Sequence, residues 1–318
     1  MKVLITGVAG FLGSHLADAY LRDGANVIGV DNLSTSNGEN IAHLSNEHKF
    51  RFIQDDVCEG VRRVDGSLDL ILHFASPASP IDYAREPVAT LNVNGPGAER
   101  CCKLALAYGA RLVYASTSEV YGDPLVHPQP EEYWGNVNPI GARSCYDEGK
   151  RFGEAMIAAY RTSQRIDARI VRIFNTYGPR MRSDDGRVVP TFIEKALNGE
   201  PLTIFGDGTQ TRSLCYVDDL IDGIMRFAHM VQPSHNVVNL GSEFEIDVNE
   251  IARTIARLCD VPLHVENRPL PPDDPARRRP DLTRAREMLR WEPRTLLESG
   301  MRETIDWFRS HKKEALTP

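Results

Sequence analysis

Short apolar runs alternate with helical patterns along the first half of this 318-residue chain. Val3–Thr6, Asn26–Asp31, Phe50–Ile53, Leu68–Phe74, Arg111–Ser116 and Arg169–Phe174 read as strands. Runs this short and this apolar suit strands covered on both faces. His15–Arg22, Gly97–Tyr108 and Tyr146–Arg161 read as helices between and after them. In the last of these, Phe152, Ala155, Met156, Ala159 and Tyr160 recur at helical spacing, which gives that helix a broad apolar face.

Past Asn175 the texture changes. Turn signals cluster at Tyr177-Gly178-Pro179, Asp184-Asp185-Gly186 and Gly206-Asp207-Gly208. The stretch from Asn267 to Pro280 holds five prolines and a triple arginine and reads as an ordered loop or linker. The whole predicts an α/β fold, a Rossmann-type doubly wound parallel sheet with a smaller mixed α/β substrate-binding domain. We divide it as a dinucleotide domain over 1–174 and a substrate domain over 175–318. A segment near 214–240, containing a strand at Val237–Leu240, returns to the first sheet.

Composition narrows the class. Basic minus acidic residues give 37 − 44 = −7, and the hydrophobic and charged fractions are 42% and 25%. Those are ordinary globular values, which exclude a disordered chain and a nucleic-acid binder with a broad basic surface. Six cysteines without Cys-x-x-Cys spacing, and no His/Cys cluster of zinc type, read as reduced thiols with no metal. No uncharged apolar run is long enough for a membrane helix. Lys2 and Val3–Ser14 superficially resemble a signal peptide, but three glycines interrupt the run and favour a strand and loop. The expectation is a soluble cytoplasmic protein.

Gly7-Val8-Ala9-Gly10-Phe11-Leu12-Gly13 follows a strand and precedes a helix. A tight turn, close backbone approach and a helix N-terminus at Phe11 and Leu12 make a pyrophosphate cradle. The next strand ends in Asp31, 31 − 13 = 18 residues after Gly13. A carboxylate there accepts from a ribose 2′-hydroxyl and repels a 2′-phosphate. Asn32 follows instead of arginine, so NAD is favoured over NADP. Asp55-Asp56-Val57 closes another strand, where Asp56 either accepts from an adenine amino group or caps the next turn. Phe74, Ala75 and Ser76 end the strand containing His73 and line the cofactor, while His73 itself reads as a packed core histidine.

Tyr146 and Lys150 are four residues apart and share one helical face. An ammonium beside a phenol favours the phenolate, so the pair can take a hydroxyl proton while a hydride leaves to a nicotinamide. Upstream, Ser116-Thr117-Ser118-Glu119 ends a strand at the edge where ligands of open α/β sheets bind. Thr117 can bond the reacting hydroxyl. Glu119 either holds a water or shuttles a proton, or caps the turn.

These motifs, with Arg172-Ile-Phe-Asn-Thr-Tyr-Gly-Pro-Arg180, resemble the extended short-chain dehydrogenase/reductases that act on nucleotide sugars. More narrowly, the chain is similar to the UDP-glucuronate decarboxylases. The resembling segments are His73–Pro80, Ala115–Pro130, Tyr133–Arg151, Arg172–Pro190, Gly199–Val217 and Asp273–Asp281. The resemblance implies that Tyr146 and Lys150 are the oxidising pair, Thr117 its hydroxyl partner and Glu119 the active-site glutamate. It further implies that Asn175, Arg180, Arg187, Val188, Phe205, Gln210, Arg212 and Arg278 hold the UDP-sugar. Phe205 stands where the family often has tyrosine. Asn92 and Ala98 depart from the lysine and threonine the family carries there.

The implied chemistry is coherent. Oxidation at C4 of a hexuronic acid creates a β-keto acid, whose C–C bond breaks readily. Protonation at C5 and return of the hydride then give a pentose, with NAD recycled inside each turnover. A strongly anionic substrate on a net-negative protein needs local cations, and Arg180, Arg182, Arg187, Arg212 and Arg277–Arg279 concentrate in the second half. A 4-epimerase needs the same tyrosine, lysine and NAD, and is the alternative. A 4,6-dehydratase pairs Asp-Glu after the threonine, where this chain has Ser118-Glu119. A non-catalytic NAD-binding regulator would have no need to keep Thr117, Tyr146 and Lys150 together. The family also implies a homodimer built on the helices at 97–108 and 146–161, although Met156 and Ala159 suit internal packing equally.

Overall fold

A computed structural model of the chain describes residues 1–60, 64–270 and 277–315, the side chains of 313–315 excepted. The first half runs β1 (Lys2–Thr6), α1 (Phe11–Arg22), β2 (Asn26–Asp31), β3 (Phe50–Gln54), β4 (Leu70–His73), α2 (Pro80–Arg85) and α3 (Pro87–Asn92). It continues through α4 (Ala98–Tyr108), β5 (Arg111–Thr117), α5 (Ser144–Gln164) and β6 (Ala168–Ile173). After it come β7 (Thr176–Tyr177), α6 (Val188–Asn198), β8 (Leu202–Phe205), β9 (Thr211–Ser213), β10 (Cys215–Tyr216), α7 (Val217–His229) and β11 (Val237–Leu240). The chain closes with β12 (Glu245–Asp247), α8 (Val248–Cys259), β13 (Val265–Arg268), α9 (Thr283–Leu289) and α10 (Leu297–Ala315).

Seven strands form one sheet in the order β11-β6-β5-β4-β1-β2-β3, parallel at every pairing. The strand order reverses between β1 and β4, so the loops leaving their C-terminal ends part and open a crevice. β4 is buried at all four positions, as expected of a strand covered on both faces. α4 and α5 cover one face, packing Cys101, Cys102, Ala105 and Ile157 against Leu4, Ile71, Leu112 and Ile170. On the other face Leu16, Tyr20, Leu220 and Ile224 meet Ile5, Leu72, Val113 and Val171, and this core runs on without a break into Phe192, Ile255 and Met301. Smaller pairs complete the second half: β8 with β13 in parallel, β9 with β12 antiparallel, and β7 with β10 in parallel. Among the described residues, no helix is long and apolar enough to cross a membrane.

Three details depart from the sequence reading. The apolar stripe of α5 faces outward, with Phe152 53% exposed, while Tyr146, Asp147, Gly149, Lys150, Gly153 and Ile157 are buried. The reason is close approach: a Cβ on Gly153 would lie 2.1 Å from the Tyr114 hydroxyl, so the glycine face, not the bulky one, meets the sheet. The proposed helix start at Gly97 is a π-turn over Val93–Gly97 with Pro96 inside it, and α4 begins at Ala98. The stretch read as a loop from Asn267 begins in a strand, since Asn267 and Arg268 pair with Ile204 and Phe205. Residues 271–276 of that stretch lie outside the described residues.

Packing at the first turn is unforgiving. Gly7 has φ +74°, and a Cβ on Gly13 would fall 2.0 Å from the Gly7 carbonyl oxygen. Gly13→Ala should therefore lose about 3 kcal/mol of unfolding free energy through overpacking, measured by urea denaturation. Wild-type stability in that variant would show that α1 tolerates a shift away from the loop.

Candidate active site

One continuous cavity of about 1050 Å³ opens at the crevice and extends into the second half of the chain. That volume exceeds what one small ligand needs. At one end its walls are Gly7, Gly10, Phe11, Leu12 and Gly13, with Asp31, Asn32, Asp56 and Val57. Its middle is walled by Phe74, Ala75, Ser76, Thr117, Glu119, Tyr146 and Lys150. From the second half of the chain its walls take Asn175, Arg180, Arg187, Val188, Phe205, Gln210, Arg212 and Arg278, with Arg180 beside the glycine end and Arg278 on Glu119.

The glycine end is built to take a phosphate-bearing dinucleotide. Gly10 is the N-cap of α1 and no side chain caps that helix, so the amides of the first turn are left for an anion. Asp31 ties this loop to β2, accepting from Ala9 N–H at 3.0 Å and Leu33 N–H at 2.9 Å. Burial holds its carboxyl above the ordinary range. Asp56 caps the following turn through Cys58 N–H at 2.7 Å and accepts from the Asn32 amide at 3.0 Å. His73 is buried, bonded to Thr6 Oγ1 at 2.8 Å and to the Val93 carbonyl at 3.1 Å. It is held near pKa 3 chiefly by burial, and so is a neutral core residue.

At the centre, Lys150 donates to the Ala115 carbonyl at 2.8 Å and lies 5.1 Å from the Tyr114 ring and 5.8 Å from the Tyr146 ring. Thr117 Oγ1 accepts from Glu119 N–H at 3.2 Å, and Thr117 is also hydrogen-bonded to the Tyr146 side chain. Tyr83, from α2, stacks on Tyr146 at 5.2 Å between centroids and 11° between planes. Glu119 is gripped from both sides, by Arg143 Nη2 at 2.6 Å and by Arg278 Nη1. Those two cations outweigh burial and hold the Glu119 carboxyl well below the ordinary carboxylate range. Of the roles open to it, this favours an anion held by arginines over a proton shuttle.

Other cavity arginines are fixed by carboxylates. Arg180 bonds Asp18 at 2.6 Å, and Arg187 bonds Asp185 at 2.5 Å and 2.8 Å. Gln210 donates to the Phe205 carbonyl at 2.8 Å, and Arg212 to the Thr211 carbonyl at 2.8 Å. Among the described residues, no group of three or more His, Cys, Asp or Glu side chains could hold a metal ion.

Residues 3–241 match the model of the NAD dependent epimerase/dehydratase family. The chain belongs to that family. It is 47% identical over 310 residues to "UDP-glucuronic acid decarboxylase 4" of Arabidopsis thaliana, covering 97% of this chain and 69% of that protein. Among solved structures, epimerase Mth375 of Methanothermobacter thermautotrophicus superposes with a TM-score of 0.90 at 30% identity, over 98% of this chain and 93% of that one. The UDP-glucuronic acid 4-epimerase of Bacillus cereus, solved with UDP-glucuronic acid and NAD, gives 0.87 at 26% identity, over 98% and 100%.

Two residues of this epimerase/dehydratase site escaped the sequence reading. Arg143 lies three residues before Tyr146, on the same helical face, but precedes the helix start assumed there. Tyr83 sits in a helix bounded by Pro80 and Pro87, which read as breakers. The direction of the Tyr146 pKa also needs correcting. Burial is the largest influence and raises it above the ordinary phenol value, opposed by the Thr117 hydrogen bond. Burial likewise brings Lys150 down to about 7.

That buried cation costs stability. The drop from 10.5 to about 7 corresponds to about 5 kcal/mol, of which an orphaned Ala115 carbonyl would return about 1–3 kcal/mol if the lysine were removed. The folded pKa lies below the unfolded one, so the penalty is full below pH 7 and fades as pH rises toward 10.5. Lys150→Met should therefore be more stable than wild type by about 2 kcal/mol at pH 6 and equally or slightly less stable at pH 10, where the orphaned carbonyl is the larger cost. Denaturation at the two pH values measures this, and a variant that is less stable at pH 6 would refute the burial cost.

Proposed function

We propose that the chain converts UDP-glucuronate to UDP-xylose and CO₂, using NAD as a resident cofactor that returns the hydride it takes. The observation that carries this reading is the 47% identity across 97% of the chain to a UDP-glucuronic acid decarboxylase. The 4-epimerase solved with UDP-glucuronic acid is 26% identical. On this reading Gly7, Gly10, Phe11, Leu12 and Gly13 cradle the pyrophosphate, and Asp31 and Asn32 take the adenosine ribose. Asp56 and Val57 face the adenine, while Phe74, Ala75, Ser76, Tyr146 and Lys150 hold the nicotinamide riboside. Asn175, Arg180, Arg187, Val188, Phe205, Gln210, Arg212 and Arg278 hold the UDP-sugar, so the residues before 175 serve mainly the cofactor and those after it the substrate.

Bound there, NAD⁺ supplies the acceptor for the C4 hydride and then its donor. Tyr146 takes the proton of the C4 hydroxyl, with Thr117 fixing the phenol oxygen and the Lys150 ammonium favouring its anionic form. The resulting ketone is β to the C5 carboxylate. The C5–C6 bond breaks, CO₂ leaves, and the electron pair moves onto the C4 oxygen as an enolate. The phenol, now protonated, donates a hydrogen bond to that oxygen. A proton from solvent then joins C5, and Tyr146 gives its own proton back to the C4 oxygen as that carbon is reduced again. Glu119 stays charged throughout and anchors Arg143 and Arg278. The buried Arg278 Nε–H has no acceptor among the described residues and serves substrate oxygens.

The outer stripe of α5, with exposed Phe152, supports a homodimer in which α4 and α5 face their mates. Free thiols at all six cysteines are in keeping with the cytoplasm.

Purified protein given UDP-glucuronate and no reductant should yield UDP-xylose by NMR, with one CO₂ per sugar. UDP-galacturonate as the product would replace this reading with the epimerase. Tyr146→Phe should fold normally and lose about 10²–10⁴-fold in kcat, the usual worth of positioned acid–base catalysis. Unchanged turnover in that variant would remove Tyr146 from the chemistry.

A further inference from the structure

Arg182 makes a bridge that the reaction does not require. Its Nη1 donates to the Thr35 carbonyl at 2.5 Å and to Asp82 Oδ2 at 3.1 Å, and its Nη2 reaches Asp82 Oδ1 at 3.3 Å. Nε is fixed locally by Asp184 at 2.8 Å. Thr35 lies in the loop leaving β2, and Asp82 lies in α2, after β4. β1 and its glycine loop stand between those strands in the sheet. One guanidinium therefore joins the two rims of the dinucleotide crevice across the end of β1.

Both anchors are firm. Asp82 is 4% exposed and is held by the Ser79 hydroxyl at 2.8 Å and by Arg85 at 3.1 Å. The Arg182 segment is itself tied down nearby, where the Asn40 amide donates to the carbonyls of Ala9 at 3.3 Å and Arg180 at 3.2 Å. Across the crevice, Gly186 abuts Ile81, and a Cβ there would lie 2.7 Å from Ile81 Cδ1. Arg182, Thr35 and Asp82 all line the cavity.

We propose that Arg182 is a strap over the dinucleotide groove that sets how fast the cofactor enters and leaves. The proposal rests on the NAD reading given above. Its bonds run between protein groups alone, so they close the groove with or without a ligand beneath. They must break for passage in either direction. Phe205, Gln210 and Arg212, assigned to the UDP-sugar, take no part in the bridge, while Arg180 and Arg187, assigned to it as well, flank Arg182 but do not bond Thr35 or Asp82. A cofactor that is reduced and reoxidised within each turnover is thereby kept for the next.

The test uses the full chain and NADH as the probe, with uptake followed by nicotinamide fluorescence and release by a chase of excess NAD⁺. Arg182→Met should speed both uptake and release by about 10- to 100-fold, the worth of one charge-assisted bridge, and change the equilibrium affinity less than either rate. Raising salt from about 0.05 to 0.5 M should speed exchange in wild type more than in the variant, because a half-exposed ion pair is screened. Arg182→Lys, which keeps the charge but cannot fork, should fall between them and serves if the methionine variant fails to fold. Equal rates in wild type and variant overturn the strap. So does faster release without faster uptake, which marks a lost contact and not a barrier. Wild-type protein with no affinity for NADH would instead remove the cofactor reading, and the strap with it.

Discussion

A lysine ammonium held inside the fold governs how this molecule is arranged. Lys150 finds its one hydrogen-bond acceptor in the Ala115 carbonyl, near the C-terminal end of β5, between the rings of Tyr114 and Tyr146. To bring it there, α5 must lie close on the sheet, and Gly149 and Gly153 on the same face permit that approach. The inward face of α5 is thus occupied by Tyr146, Asp147 and Lys150 together with small residues. Apolar side chains at 152, 155, 156 and 159 are left on the outside. An amphipathic helix usually turns its apolar stripe to the core; here Tyr146, Asp147 and Lys150 occupy that side, and most of the stripe is left on the surface.

The same economy of placement resolves a charge problem. A net charge of −7 is unfavourable for an anionic sugar nucleotide, yet the cavity is lined by arginines. Several pair with carboxylates: Arg180 with Asp18, Arg182 with Asp82, Arg187 with Asp185, and Arg278, together with Arg143, with Glu119. The acids, three of which also line the cavity, fix the direction of the guanidinium groups. Cations oriented before the ligand arrives need no reorganisation during the reaction. Glu119 is the extreme case, since two arginines make it an anchor where its position alone suggested an acid.

Much of this was readable from the chain. The bounds of β2 and β11 coincide with the apolar runs at Asn26–Asp31 and Val237–Leu240, because a strand buried on both faces leaves a continuous apolar signature. The glycine spacing and the Tyr146–Lys150 spacing carried over for a similar reason, as each depends on local geometry alone. What depended on distant neighbours did not carry over. Arg143 is defined by Glu119, 24 residues away, and Tyr83 by a ring stacked across from another helix. The pKa of Tyr146 was misjudged because spacing reveals the ammonium but not the burial, and burial is the larger influence.

The core itself limits which parts can move. Apolar packing runs from Leu16 and Ile224 through to Phe192, Ile255 and Met301 as one cluster, so the two halves cannot rock apart without exposing it. Interiors packed at crystal-like density do not deform continuously. Opening therefore falls to segments tied to the first half mainly by polar bonds, and residues 179–187, with Met181 as their one buried apolar anchor among the described residues, are such a segment. Their ties to the first half are His15 to the Pro179 carbonyl at 3.0 Å, Asn40 to the Arg180 carbonyl at 3.2 Å, Asp18 to Arg180 at 2.6 Å, and the Arg182 bridge. Such bonds each contribute little net free energy in water, which suits a part that must open and reclose. Tyr146 and Lys150 sit on α5, packed on the sheet, whereas the loop at 179–187 is pinned to the core by Met181 and to the first half mainly by polar bonds, so precision and access fall to different parts of the fold.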